Sequence, residues 1–132
     1  MAAKDYKYTK THEWIGLEPD KTGKIGITQY AQSHLGDIVF VDLSPEGTTV
    51  QQFQKIGELE SVKAVSEFYA PAGGQILKVN SAVQEDPKIV NQDCYGAGWF
   101  ASLALGDPSQ LDKLMTSDEY DAYIASLNEK KH

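Results

Sequence analysis

Lys63 is the residue with which this sequence could do chemistry. It stands in Leu59-Glu60-Ser61-Val62-Lys63-Ala64-Val65-Ser66, a short link between two runs of strand-forming residues. The chain must reverse direction there, with Lys63 at or beside the tip. The side chain there projects away from the strands, where the sandwich's symmetry axis would emerge. Three acids, Glu58, Glu60 and Glu67, surround it and mark a patch that a protein partner could recognise around one cation. Most hairpin lysines only aid solubility, but this one sits at the junction of two similar β units. Schiff-base chemistry would need a desolvated lysine of lowered pKa, and a tip amid three acids is the opposite environment. No rival constellation is present: His12, His34, His132 and Cys94 lack metal-ligand spacing, and no nucleophile is paired with a base. The residues therefore show no catalytic centre of their own.

The elements that must position Lys63 are mostly strands. Segments 6–8, 13–17, 24–28, 38–43, 56–61, 65–70, 75–79 and 99–105 have strand length and composition. Between the third and fourth, Thr28 reads as an N-cap and Gly36 as a left-handed stop for one or two helical turns. After Gly106 the character changes. Asp107-Pro108-Ser109-Gln110 carries a capping acid, a proline at the first helical position and Gln at the third. A second helix from Ser117 carries Tyr120, Tyr123, Ile124 and Leu127 on one face, which should lie on the β core. Gly36-Asp37-Ile38-Val39-Phe40-Val41-Asp42 and Gly74-Gln75-Ile76-Leu77-Lys78-Val79-Asn80 echo each other. The expected fold is therefore mostly β: a flattened barrel or sandwich with quasi-two-fold symmetry, plus short helices including a C-terminal helical segment. Residues 1–132 read as one domain, with a core over about 24–105 and helices over about 108–130.

Composition narrows the classes. A chain of 132 residues with 41% apolar content is long enough to bury a core without metals or disulfides. A net charge of −7 without a Lys/Arg stripe argues against nucleic acid and anionic membranes. No apolar run is long enough to span a bilayer. One cysteine, Cys94, cannot form an internal disulfide and fits a reducing compartment. The expected location is the cytoplasm of a bacterium, or a mitochondrial matrix if a presequence has been removed, and the expected state is a monomer.

Glu60-Ser61-Val62-Lys63-Ala64 is accompanied by Tyr8-Thr9-Lys10-Thr11-His12-Glu13-Trp14, Gly36-Asp37-Ile38-Val39-Phe40-Val41, Tyr69-Ala70-Pro71 and Tyr95-Gly96-Ala97-Gly98-Trp99. Together, over about residues 8–120, they resemble the H proteins of the glycine cleavage system. A generic lipoyl domain lacks the His-Glu-Trp opening and the Gly-Asp-Ile-Val-Phe-Val strand. Biotin carriers usually flank the lysine with methionines, where Val62 and Ala64 stand here. Cys94 departs from the Pro or Ser more usual in the family, without bearing on the lysine.

The resemblance implies a lipoyl/biotinyl-domain-like fold with lipoate in amide linkage on Lys63. It implies a shuttle of aminomethyl groups from a pyridoxal-phosphate glycine decarboxylase (P protein) to a tetrahydrofolate-dependent aminomethyltransferase (T protein). Reoxidation falls to dihydrolipoyl dehydrogenase (L protein). A lipoyl-attaching enzyme would read the shape of the tip at Glu60, Ser61, Val62 and Ala64, although Ser61 and Ala64 also suit a tight turn. The arm would reach roughly 14 Å from the backbone, giving an effective concentration on the order of millimolar at neighbouring sites. Its loaded end would need a cleft that excludes water and a carboxylate for a cationic amine. By family position Glu13 and Glu67 are the acids best placed, with Thr11 and His34 completing the wall. Two alternatives share the same lysine: a relay donor of lipoyl or octanoyl groups in protein lipoylation, and an unmodified docking module.

Overall fold

The computed structural model describes residues 6–18 and 20–129. The elements run β1 (Lys7–Tyr8), β2 (Glu13–Leu17), β3 (Thr22–Ile27), α1 (Gln29–Leu35), β4 (Ile38–Leu43), β5 (Thr49–Val50), β6 (Lys55–Ser61), β7 (Val65–Tyr69), β8 (Gly74–Val79), α2 (Ser81–Glu85), α3 (Lys88–Gln92), β9 (Ala101–Leu105), a 3₁₀ turn (Pro108–Lys113) and α4 (Ser117–Glu129). The strands form two antiparallel sheets, ordered β1-β2-β3-β9-β8-β5 and β4-β6-β7. They face each other across a shared core and do not close into a barrel, which settles the expected architecture in favour of the sandwich. Ile25, Ile76 and Leu103 of the larger sheet and Ile38, Leu59 and Phe68 of the smaller meet in one cluster. The two echoed segments lie in opposite sheets, as β4 and β8, and begin at glycines of positive φ, Gly36 and Gly74.

Strand expectations from length and composition hold to within two residues at each end, with 13–17 and 38–43 matching β2 and β4. Thr28 is not the end of β3 but the N-cap of α1, its Oγ1 accepting from the Ala31 N–H. Two features are additional to the expectation. β5 is only two residues long. The five-residue helices α2 and α3 are too short to show a period, and each buries one valine, Val83 or Val90.

The C-terminal segment follows the expected cap at Asp107, whose carboxylate accepts from the Ser109 N–H. Gln110 does not close a capping box. Its Oε1 accepts from the Gly73 N–H at 2.8 Å instead, tying the turn to the head of β8. Helix α4 packs on a separate aromatic cluster of Tyr8, Trp14 and Tyr120, not on the core between the sheets. Tyr8 and Tyr120 stack at 4.8 Å, and Trp14 stacks on Tyr6 at 4.5 Å. No helix among the described residues is long and apolar enough to cross a membrane.

Candidate functional site

The β6–β7 hairpin holds Lys63 at its tip, and local hydrogen bonds fix the link. The Ser61 N–H donates to the Ala64 carbonyl at 2.8 Å. Ser61 Oγ accepts from the Lys63 and Ala64 N–H groups at 3.2 and 3.1 Å. Ser61 therefore does more than fit a tight turn: its hydroxyl substitutes for a second strand partner. A further bond ties the tip to the body, from the Val62 N–H to the Asp37 carbonyl at 3.1 Å. Asp37 in turn lies between two groups held by Asn91 of α3, whose Nδ2 donates to the Gly36 carbonyl and whose Oδ1 accepts from the Ile38 N–H, both at 2.9 Å. The tip thus rests on a clamped segment. Gly36 has φ 78° and ψ −151°, a combination essentially reserved for glycine. A Cβ there would come within 2.9 Å of Lys63 Cε, so the bare backbone also leaves room for the lysine stem.

Around the tip the surface is apolar, then acidic. Val62 and Val65 are 68% and 65% exposed, and Phe40 pairs across the sheet with Glu60, which pairs with Val65. The next row is Asp42, Glu58 and Glu67, three acids side by side on neighbouring strands. Like charges in such a row repel, and Lys55 relieves them with contacts of 2.7 Å to Glu58 and 3.1 Å to Glu67. Of the expected acidic ring, then, Glu58 and Glu67 are bridged by a second lysine, and Lys63 makes no ion pair with any described residue.

A second group of predicted residues meets at the opposite end of β7. Glu13 is 1% exposed. Its Oε1 accepts from the Thr9 hydroxyl at 2.6 Å and from the Thr11 hydroxyl, and its Oε2 accepts from the Tyr69 N–H at 3.3 Å. Tyr69 ends β7, an edge strand, so the carboxylate satisfies an edge donor and bridges the two sheets. Burial pushes the Glu13 carboxyl up to about 7, and the donated hydrogen bonds hold it from rising further. Thr9, Thr11 and Tyr69 line a cavity of about 470 Å³ together with Phe53, Leu114 and Met115. The segment before α4 builds one wall of it, through Lys113, Leu114 and Met115. Tyr8 and Met115 exchange backbone hydrogen bonds of 2.9 Å, and the Tyr120 hydroxyl meets His12 Nδ1 at 2.8 Å.

Of the four residues expected in one cleft, Thr11 and Glu13 are together. Glu67 reaches the group indirectly, accepting from the Tyr69 hydroxyl at 2.7 Å. His34 is elsewhere. It sits on α1 with its ring 4.1 Å from that of Tyr30, and it lines a different depression beside Tyr95, Tyr120 and Asp121. Thr9, Tyr69 and Phe53 were not read from the sequence as parts of this site. Thr9 was within reach as a hydroxyl four residues before Glu13, whereas the contact of Glu13 with Tyr69 spans 56 residues and leaves no local signal.

Cys94 is buried, and burial pushes its thiol up to about 11. Its carbonyl accepts from Trp14 Nε1 at 3.0 Å. Trp14 is wholly buried, while Trp99 covers a sheet surface under Lys24.

Comparison with known proteins covers nearly the whole chain. A sequence profile described as glycine cleavage H-protein matches residues 6–127. A glycine cleavage system H protein of Symbiobacterium thermophilum is 45% identical over 119 residues, 90% of this chain and 92% of its own. A mitochondrial one of Drosophila melanogaster is 41% identical over 126 residues, 96% of this chain and 76% of its own. The crystal structure of a glycine cleavage system H protein from Mycobacterium marinum superposes with a TM-score of 0.84 at 41% identity, covering 94% of this chain and 99% of that one. Matching over nearly all its length in sequence and in fold, the chain belongs to the glycine cleavage H-protein family.

Proposed function

We propose that this chain carries lipoate on Lys63 and serves as the mobile carrier of the glycine cleavage system. In that role it takes the aminomethyl group from the P protein to the T protein and is returned to its oxidised state by the L protein. The observation that carries the reading is an exposed amine at the tip of a hairpin whose backbone is pinned from both sides. When attached, lipoate supplies a sulfur pair that accepts the group and later gives it up.

The chain's own residues have three tasks. The first is presentation. Ser61, Asp37 and Asn91 hold the tip in one shape for an attaching enzyme, with Glu60, Val62 and Ala64 as the neighbours it would touch. The second is guidance. Val65, Glu67 and Tyr69 alternate on the outer face of β7, which covers roughly 13 Å from Val65 to Tyr69, so an acylated lysine rooted at the tip brings its far end toward Tyr69. An arm laid back along that face ends beside Tyr69 and the cavity. The third is shelter. The cavity is polar where Thr9 and Thr11 stand in front of Glu13, and apolar where Phe53, Leu114 and Met115 line it. Lys10 and Lys113 also line it, so a cationic amine is held by the one carboxylate and not by the wall as a whole. An ammonium beside Glu13 keeps that carboxylate ionised, offsetting the burial that otherwise favours its protonated form.

The test is the mass of the Lys63 peptide after expression with lipoate and a ligase. A lipoyl increment on that peptide, absent in Lys63→Arg, is the expected result. An unmodified Lys63, under conditions that modify other lipoyl domains, would leave only a docking module.

A further inference from the structure

Phe53 is where the backbone suits its residue type least. Its φ is 67°, a region that bulky side chains seldom occupy. The loop is fixed there by bonds from the Phe53 N–H to the Ala70 carbonyl at 2.7 Å and from the Ala70 N–H to the Gln54 carbonyl at 2.9 Å. Gln54 closes it further, its N–H donating to the Gln51 carbonyl and its Oε1 accepting from the Gln51 N–H. Glycine would meet the same backbone demand without a steric penalty, so the side chain needs a reason of its own. Core packing does not supply one, because Phe53 is 50% exposed. What the side chain does is line the cavity in front of Glu13. Strain kept at the rim of a cavity is the pattern expected where function uses the strained residue.

We infer that Phe53 is a positioning residue that closes the cavity over the returned arm and keeps water from its loaded end. The inference rests on the carrier reading above. An arm running back along β7 arrives at Tyr69, next to the segment that Phe53 anchors through Ala70. Its sulfur-bearing end then meets Phe53, Leu114 and Met115, and the cationic group it carries meets Glu13. The phenyl ring covers the solvent side of that path, which neither sheet covers.

The experiment compares wild type, Phe53→Gly and Phe53→Leu, each fully lipoylated, loaded once by the P protein and left in buffer. Mass spectrometry follows the lifetime of the loaded arm, and NMR follows the Leu114 and Met115 methyl groups. Phe53→Gly is expected to shorten the lifetime by roughly five- to tenfold, as loss of one apolar wall implies. Phe53→Leu is expected to stay within about twofold of wild type, since it keeps an apolar wall. The methyl resonances shift on loading in wild type and Phe53→Leu but not in Phe53→Gly. The thermal midpoint of Phe53→Gly stays at or above that of wild type. Equal lifetimes in wild type and Phe53→Gly, or a Phe53→Leu lifetime as short as that of Phe53→Gly, overturn the role of Phe53. If Glu13→Ala still shortens the lifetime in that case, the shelter stands without Phe53. If the wild-type lifetime equals that of the same adduct on free lipoamide, the shelter and the Phe53 inference both fall.

Discussion

Gly36 and Phe53 hold nearly the same φ, 78° and 67°, at the two ends of the small sheet, and they meet that demand in opposite ways. Beside the tip the position is glycine, and the space it leaves is occupied by the Lys63 stem. Beside the cavity the position is phenylalanine, and its ring extends the wall. The difference teaches how the two ends are specialised. The tip is built to be reached, with its side chain bare and its backbone pinned. The cavity is built to exclude, with a carboxylate desolvated behind two hydroxyls.

The largest effect that tests this contrast comes from Glu13. Its carboxyl titrates near 7 in the fold and near 4.5 in the unfolded chain. The folded state therefore binds the extra proton, and the resulting stability is present below about pH 4.5 and lost as the pH rises through 7. Urea unfolding at pH 5 and pH 8 should show the loss, and in Glu13→Gln it should be smaller by on the order of 2 to 3 kcal/mol. Identical pH dependence in the two proteins would show that Glu13 is not desolvated, and the excluding end would lose its distinguishing feature.

Gly36→Ala comes next. A side chain at that φ and ψ costs about 1–3 kcal/mol, although the Lys63 stem it meets is flexible and can move aside. Chemical denaturation measures the cost, and a ligase time course should show slower modification of Lys63. Phe53→Gly carries no such cost, since it places glycine at the positive φ, so its midpoint does not fall. Lys63→Arg should leave the thermal midpoint where it is while abolishing attachment, because the tip is held by its backbone. Lys55→Ala is the smallest: its contacts to Glu58 and Glu67 are solvent-exposed, and such pairs contribute little at physiological salt. A midpoint unchanged in 0.15 M salt and lowered only at low ionic strength is the expected result.

The tip was legible in the sequence because what reverses the chain there is local: two strand runs, a four-residue link, and one amine in the middle, whereas the clamp through Asp37 and Asn91 joins distant segments and left no signal. β2 and β4 were legible for the same reason, since a short run of branched and aromatic residues is a local signal. The cavity was half legible. Thr11 and Glu13 are two residues apart in a turn, but Tyr69 joins them across the gap between the sheets, and that meeting depends on how the sheets stack. Phe53 carried no sign at all, because a positive φ at a phenylalanine is imposed by the loop and not by the residue. His34 went to another face because α1, capped by Thr28, turns it toward Tyr30.

The buried cysteine has a practical corollary for a carrier of sulfur chemistry. With its single thiol sealed in the interior and held protonated, the polypeptide offers no nucleophile that could attack an attached disulfide and capture it as a mixed disulfide. Any reagent-accessible thiol counted on the intact, reduced, modified protein would then belong to the arm alone, so a simple colorimetric titration reads occupancy against a zero background.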